Sequence, residues 1–245
     1  MTDIRPFHIP GNPLILFNVW DAGSAISVAE SGASVIASGS WAVARAQGFD
    51  DGQNIPFQRY VDTSAQIINA VSPPVTIDFE GGFAQDHTVL KSNIDQLVKI
   101  GASGINFEDR VIGEQGLHDT VDQCARLKIL RTADAELFIN ARCDLLFNGA
   151  KPEDHSDLID PLIERAKAYA DAGADGLFVP GLSAPALIEK VVKRSPLPVN
   201  IMRLDETHSI ADLAALGVAR ISHGPMPYLK MMGELGAKAK AMYAS

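Results

Sequence analysis

Eight short apolar segments recur along the chain and alternate with longer stretches of helical periodicity. Each segment is apolar at nearly every position, which is typical of strands buried on both faces of a parallel sheet. Strands that alternate with helices in this way indicate repeated βα units. The segments are 14–20, 35–40, 75–80, 104–109, 137–144, 176–181, 198–202 and 220–225.

Similar glycine-containing segments lead into four of these strands: SGASV, IGASGI, AGADGL and LGVARI. Glycine after an amphipathic stretch is typical of a helix end, because it adopts the left-handed conformation without a Cβ clash. The pattern predicts a single (β/α)8 TIM barrel over residues 1–245, with parallel strands and a C-terminal helix from Met226 to Tyr243. An open doubly wound sheet is the alternative, but NVWDAGSA after the first strand is not the GxGxxG turn typical of that fold.

Composition narrows the possible partners and compartment. The chain has 245 residues, 47% of them hydrophobic, and a net charge of -9, which argues against binding a nucleic-acid backbone. No apolar run is long enough for a membrane span or a secretion signal, so we expect a cytoplasmic protein. Cys124 and Cys143 are too few for a disulfide framework and lack zinc-site spacing. The last helix could close its own barrel or reach a partner subunit, and we expect a homo-oligomer.

Carboxylates lie at the ends of two neighbouring predicted strands. In such barrels the active site lies at the C-terminal ends of the strands. Asp78 and Glu80 are alternate residues, so they share a face, and Glu108 approaches from the next strand. Three converging carboxylates repel one another, and Mg²⁺ would compensate them. The alternative is that these acids cap helices or pair with Arg110 and Arg142.

Further candidates lie at other strand ends. Arg142 could clamp a substrate carboxylate with its planar fork, or it could form a salt bridge with Asp144 or Glu108. Asn200 and His223 are candidate substrate-binding residues, and His223 could equally be a hydrogen-bonded structural histidine. After the second strand, free backbone N–H groups at a helix start could hold an anion. That segment comprises Ser38, Gly39, Ser40 and Trp41.

Five motifs together resemble the isocitrate lyase and phosphoenolpyruvate mutase superfamily, especially its short phosphonomutase-like branch. They are NVWDAGSA at 18–25, GFDDG at 48–52, VTIDFEGGF at 75–83, GINFEDR at 104–110 and FINARCD at 138–144. The resemblance implies a Mg²⁺ ion bound mostly through water at the three acids, Arg142 as a substrate-binding residue, and Asp51 as an acid near the reacting centre. It also implies a pyruvate-like enolate as the intermediate.

The chain departs from the family pattern in two places. Glu80 replaces an aspartate found in many members. The segment from Arg110 to His118 lacks the cysteine acid of the lyases and the lysine and asparagine of the phosphonomutases. We expect this segment to be a mobile lid whose only titratable acids are Glu114 and His118.

These observations predict an Mg²⁺-dependent carbon–carbon lyase or 2-oxo-acid decarboxylase that acts on a small 2-oxo or 2-hydroxy di- or tricarboxylate. One alternative is carbon–phosphorus chemistry of the phosphonomutase or phosphonopyruvate hydrolase type. The other, from a different class, is a metabolite-binding protein that has lost catalysis.

Overall fold

Eight parallel strands form the centre of the molecule in the computed structural model, which describes residues 2–147, 149–204 and 208–244. Hydrogen-bonded neighbours run in the order β1-β8-β7-β6-β5-β4-β3-β2, and every pair is parallel. The strands are β1 (Leu14–Leu16), β2 (Ile36–Ala37), β3 (Val75–Asp78), β4 (Gly104–Glu108), β5 (Phe138–Arg142), β6 (Gly176–Val179), β7 (Val199–Met202) and β8 (Arg220–Ser222). Each lies within a predicted strand segment.

A single bridge closes the ring between the first and second strands. Val19 and Ser38 form a parallel bridge, in which the Val19 N–H donates to the Ala37 carbonyl at 2.9 Å and the Gly39 N–H donates to the Val19 carbonyl at 3.0 Å. The predicted (β/α)8 barrel is therefore confirmed, and the open doubly wound alternative is wrong.

Helices follow the strands around the outside of the barrel. Several begin where a side chain accepts from free N–H groups of the first turn; Asp86, for example, accepts from Thr88 and Val89. Gly101, Gly173 and Gly217 adopt left-handed conformations after helices, as their segments predict. The helices are α1 (Ala22–Glu30), α2 (Ser40–Ala46), α3 (Phe57–Ala70), α4 (His87–Lys99), α5 (Thr120–Arg131), α6 (His155–Asp171), α7 (Pro185–Arg194), α8 (Ile210–Ala215) and α9 (Met226–Tyr243).

Polar side chains fill the middle of the barrel. Asn140 donates to Asn106 at 2.9 Å and to Asn200 at 3.0 Å, while Arg220 donates to Asn106 at 3.0 Å. All four residues are buried. Burial lowers the pKa of Arg220 to about 9, because it removes the charged guanidinium from water. This layer lies directly beneath the strand ends and supports them.

The C-terminal helix has the predicted bounds, but it packs little against its own barrel. Pro227 is its only buried residue among those described. Leu229, Met231 and Leu235 are exposed on its surface. No helix in the described part of the chain is long and apolar enough to cross a membrane.

Candidate active site

A cavity of about 130 Å³ opens at the C-terminal ends of the strands. Pockets for drug-sized ligands are typically about 300–1,000 Å³, so this cavity favours a substrate of a few carbon atoms. It is lined by Asn18, Gly39, Ser40, Trp41, Ala42, Asp51, Asp78, Asn106, Arg110, Arg142, Phe147, Phe178, Met202, Ser222, Gly224 and Pro225. Gly39, Ser40, Trp41, Asp51, Asp78 and Arg142 are among the predicted site residues.

Asp78, the last residue of β3, is held on both carboxylate oxygens. Ser40 donates to Oδ2 through its backbone N–H at 3.1 Å and its hydroxyl at 2.8 Å, and Asn106 donates to Oδ1 at 3.3 Å. Tyr60 donates its hydroxyl to the Asp78 carbonyl at 2.5 Å. These contacts fix the carboxylate at the cavity wall.

Glu80 follows β3 in the left-handed conformation, with φ of 49°. This conformation is uncommon for a residue with a side chain, and such strain is often found at functional sites. The carboxylate is buried and accepts a hydrogen bond from the Gln53 N–H at 3.0 Å. Burial, and then the nearby charges of Asp78 and Glu108, raise the pKa of Glu80 well above its usual value.

Glu108 and Arg142 face each other across neighbouring strands. Arg142 Nη1 lies 2.8 Å from Glu108 Oε2, and the same guanidinium binds Asp144 through Nε at 2.5 Å and Nη2 at 2.7 Å. Burial raises the pKa of Glu108 to about 8, against the opposing effect of Arg142. Phe147 and Phe178 lie on the guanidinium at 5.6 and 5.7 Å. Arg142 therefore forms ion pairs with both Glu108 and Asp144, the two partners that the alternative interpretation of this residue named.

The carboxylates of this site suit a hard cation, although they are not arranged to coordinate it directly. Within the described residues, no three His, Cys, Asp or Glu side chains converge closely enough to hold a metal directly. Yet removal from water, and in addition the charge of Asp78, raise the pKa of Asp51, Glu80 and Glu108, so the carboxylates also repel one another. A divalent cation bound through water would relieve this repulsion, and carboxylate oxygens are donors that Mg²⁺ prefers.

Three predicted binding residues lie outside the cavity lining. The buried Ser38 hydroxyl accepts from the Asp78 N–H at 3.0 Å and supports the strand end. Asn200 lies in the polar layer inside the barrel, where it contacts Asn140. The His223 ring bonds the Leu16 carbonyl at 3.0 Å, as a structural histidine would. The structure thus gives all three supporting contacts.

The predicted lid forms a narrow loop with antiparallel pairing between Arg110 and Leu117. Glu114 is exposed, and His118 Nδ1 lies 2.7 Å from Asp122 on α5. Burial is the main cause that lowers the pKa of His118. Neither of the two predicted proton donors lines the cavity in this conformation.

Arg126 is a supporting residue that the sequence reasoning missed. It is buried on α5 and donates to the carbonyls of Gly81 at 2.7 Å and Ala84 at 3.1 Å, which fixes the turn after Glu80. Its spacing from Gln123 and Leu130 places it on the buried stripe of the helix. A charged residue on such a stripe was the signal that could have identified it.

The chain resembles known proteins over nearly its whole length. The sequence model of the phosphoenolpyruvate phosphomutase family matches residues 4–243. An uncharacterised Mycobacterium tuberculosis protein is 31% identical over 221 residues, which cover 90% of this chain and 81% of the relative. The phosphoenolpyruvate phosphomutase of Streptomyces hygroscopicus is 28% identical over 228 residues, covering 86% and 70%.

Solved structures share the fold across nearly the whole chain. A Burkholderia cenocepacia J2315 protein, provisionally named a phosphonomutase, has a TM-score of 0.94 and 45% identity, with 98% of this chain and 96% of that chain covered. A phosphonopyruvate hydrolase solved with oxalate and Mg²⁺ has a TM-score of 0.83 at 21% identity, covering 100% and 87%. Curated relatives also include 2-methylisocitrate lyase and oxaloacetate decarboxylase. The chain therefore belongs to the phosphoenolpyruvate phosphomutase family, within the isocitrate lyase and phosphoenolpyruvate mutase superfamily.

Proposed function

We propose that the chain is an Mg²⁺-dependent enzyme that cleaves a carbon–carbon bond of a small 2-oxo acid, as a lyase or a decarboxylase. The observation that carries the proposal is that Asp51 and Asp78 line a cavity of about 130 Å³ together with Arg142, and that the charge of Asp78 acts on the nearby carboxylates of Glu80 and Glu108. Oxaloacetate decarboxylases and a 2-methylisocitrate lyase among the relatives support this reaction class.

Asp78, Glu80 and Glu108 would hold the ion, chiefly through water. When bound, Mg²⁺ supplies Lewis-acid stabilisation of negative charge on the substrate's 2-oxo group. A single positive ion also offsets the repulsion that raises the pKa of Glu80 and Glu108. Burial of several carboxylates is unfavourable without a compensating cation, so a bound Mg²⁺ would explain why these acids lie together.

The remaining groups bind and orient the substrate. At the start of α2, the N–H groups of Trp41 and Ala42 have no partner within the helix and would bind the carboxylate next to the 2-oxo group. Arg142 would stabilise the negative charge that develops in an enolate, and Asp144 accepts two hydrogen bonds that hold its guanidinium in place. Asp51 has a raised pKa, mainly because its carboxylate is partly removed from water and then because of the charge of Asp78, so it would bind a proton near the reacting centre more readily than an isolated aspartate.

Carbon–phosphorus chemistry is the second candidate. The family model and the Burkholderia relative favour it. Against it, the loop from Arg110 to His118 contains no lysine to bind a phosphonate. Phosphonopyruvate and oxaloacetate therefore belong in the same assay.

The test measures pyruvate release from oxaloacetate with and without Mg²⁺, after subtraction of the rate without protein. Wild type is expected to show Mg²⁺-dependent turnover. An Asp78→Ala, Glu108→Ala variant is expected to lose about 100-fold or more in kcat/KM, because two of the three groups that would hold the ion are gone.

An Asp62→Ala, Glu189→Ala variant is the matched control, because it removes two carboxylates from the exposed surface. Calorimetric titration with Mg²⁺ accompanies the assay. Equal Mg²⁺ affinity in wild type and the active-site variant would refute the metal site. Turnover of phosphonopyruvate alone would favour the second candidate, and no turnover of any 2-oxo acid would favour a binding protein without catalysis.

A further inference from the structure

Arg110 is a pocket residue whose charge has no partner in contact. It lines the cavity and is half-buried. Across residues 2–147, 149–204 and 208–244, its guanidinium makes no hydrogen bond and no ion pair. A cation that is partly removed from water and lacks a counter-charge gains from binding an anion.

The other cation of the lining is already engaged. Arg142 donates to Asp144 in a two-pronged contact and lies 2.8 Å from Glu108. A second substrate carboxylate would have to compete with both acids for this guanidinium. Arg110 and Arg142 are the two cationic residues among the described residues that line the cavity.

Arg110 lies at the base of the loop after β4, close to the acids of the site. It follows Glu108 and Asp109 at the end of β4, and its backbone pairs with Leu117 across the base of the loop. Its positive charge acts to lower the pKa of Asp51 and Glu108, so it lies near both carboxylates. Neither acid forms an ion pair with it within the described residues, which leaves its hydrogen-bond donors for a ligand.

The rest of the lining offers no comparable group. Apart from the two arginines, the described residues of the lining carry no positive charge, and Trp41, Phe147, Phe178, Met202 and Pro225 make much of it apolar. A second anionic group of a substrate would therefore be most stable beside Arg110, because an unpaired charge against apolar side chains is unfavourable.

We infer that Arg110 binds a second carboxylate of the substrate and makes the enzyme selective for 2-oxo dicarboxylates over 2-oxo monocarboxylates. The inference rests on the proposed function for the placement of the other carboxylate. The size of the cavity favours a dicarboxylate with a short carbon chain.

The test compares two unreactive ligands that differ only at the far end, malate and 2-hydroxybutyrate. In 2-hydroxybutyrate a methyl group replaces the second carboxylate. Their affinities for the Mg²⁺-loaded protein are measured by calorimetry at one ionic strength. Wild type is expected to bind malate about 10- to 100-fold more tightly, the range of a charge-assisted hydrogen bond.

Arg110→Gln is expected to remove this preference by weakening malate binding and leaving 2-hydroxybutyrate binding unchanged. Arg110→Lys is expected to restore part of the preference, because it keeps the charge but loses the fork. Arg194→Gln is the matched control. Arg194 lies on the surface, paired with Asp160, so this variant changes the net charge equally and should keep the preference.

Three results would overturn the inference: no malate preference in wild type, an Arg110→Gln variant that keeps the preference, or an equal loss of affinity for both ligands. Because binding is measured, the outcome is independent of catalysis. A protein that cleaves no 2-oxo acid but prefers malate through Arg110 would refute the proposed function alone.

Discussion

His8 shows how one buried side chain couples this barrel to pH. Its ring stacks on Phe138 at 3.9 Å, Nδ1 lies 2.9 Å from the Ile4 carbonyl, and Nε2 lies 3.5 Å from Arg220. Nδ1 must donate to the carbonyl, while Nε2 can only accept from the guanidinium. The contact with Arg220 therefore requires neutral histidine, whereas the Nδ1 donation to Ile4 is possible in either protonation state. Burial, and then the charge of Arg220, lower the pKa of His8 to about 3.

This shift predicts loss of stability in mild acid. In the unfolded chain His8 binds a proton near pH 6.5, whereas in the folded state it stays neutral down to about pH 3. The stability that depends on neutral His8 is fully present above pH 6.5, and it is lost as the pH falls from 6.5 towards 3. Between pH 7.5 and 5 we expect His8 to account for about 2 kcal/mol of the decrease in the free energy of unfolding.

Urea unfolding at both pH values measures this effect. His8→Gln cannot gain a proton and is expected to show a smaller decrease by about that amount. His87→Gln, on the exposed start of α4, is the control and should follow wild type. An unchanged pH dependence in His8→Gln would contradict the assignment.

At the scale of elements, the loop between β4 and α5 is the segment that departs from the family pattern described above. Its base is closed by hydrogen bonds from Val111 N–H to Gly116 O at 3.2 Å and from His118 N–H to Asp109 O at 2.8 Å. Gly113 and Gly116 have positive φ and open space around them. These are properties of a loop that can change conformation about a fixed base, and lid motion remains a prediction.

The chemistry of this loop predicts which substrates react. Cleavage of a 2-hydroxy tricarboxylate needs an acid beside the leaving carbon, whereas decarboxylation leaves an enolate that solvent can protonate later. The loop has no thiol acid, and His118 is held by Asp122. We expect kcat/KM for isocitrate to be about 100-fold or more below that for oxaloacetate.

The assay compares both substrates in wild type and in a His118→Ala, Glu114→Gln variant. If either residue donates the proton, the variant should lose oxaloacetate turnover without losing the affinity for Mg²⁺. Efficient isocitrate cleavage by either protein would refute this account of the loop.

At the scale of the whole molecule, α9 leaves apolar surface uncovered. Leu229, Met231 and Leu235 are exposed on the helix, and Phe17 is 48% exposed on the barrel. Phe17 and Met231 line one groove of about 790 Å³ between α9 and α1. Several large apolar side chains exposed on one helix are typical of a protein interface.

We therefore predict that the protein is a homo-oligomer in solution, with α9 in the interface. Light scattering coupled to gel filtration should show a mass above the 26.2 kDa of one chain. Leu229→Glu with Leu235→Glu is expected to shift the mass to that of a monomer, because buried charge without a partner is unfavourable. Val121→Glu, an exposed apolar position on α5, is the control. A monomeric wild type at micromolar concentration would contradict the prediction.

The sequence by itself determined the architecture and the neighbourhood of the site. All eight strands and the bounds of α9 follow from local hydrophobic periodicity and helix-ending glycines, which depend on short stretches of chain. Because parallel strands bring their C-terminal ends to one edge, the positions of Asp78 and Arg142 in their strands sufficed to predict one pocket, while Glu108 contacts Arg142 without lining the cavity.

Only the tertiary structure decided which side chains are free. Arg110 and Arg142 are both arginines at strand ends, but Asp144 and Glu108 engage one while the other has no partner among the described residues. Asn200 lies within a strand that reaches the site, yet its position along the strand places it in the layer below. Such differences depend on distances between segments far apart in sequence, which periodicity does not encode.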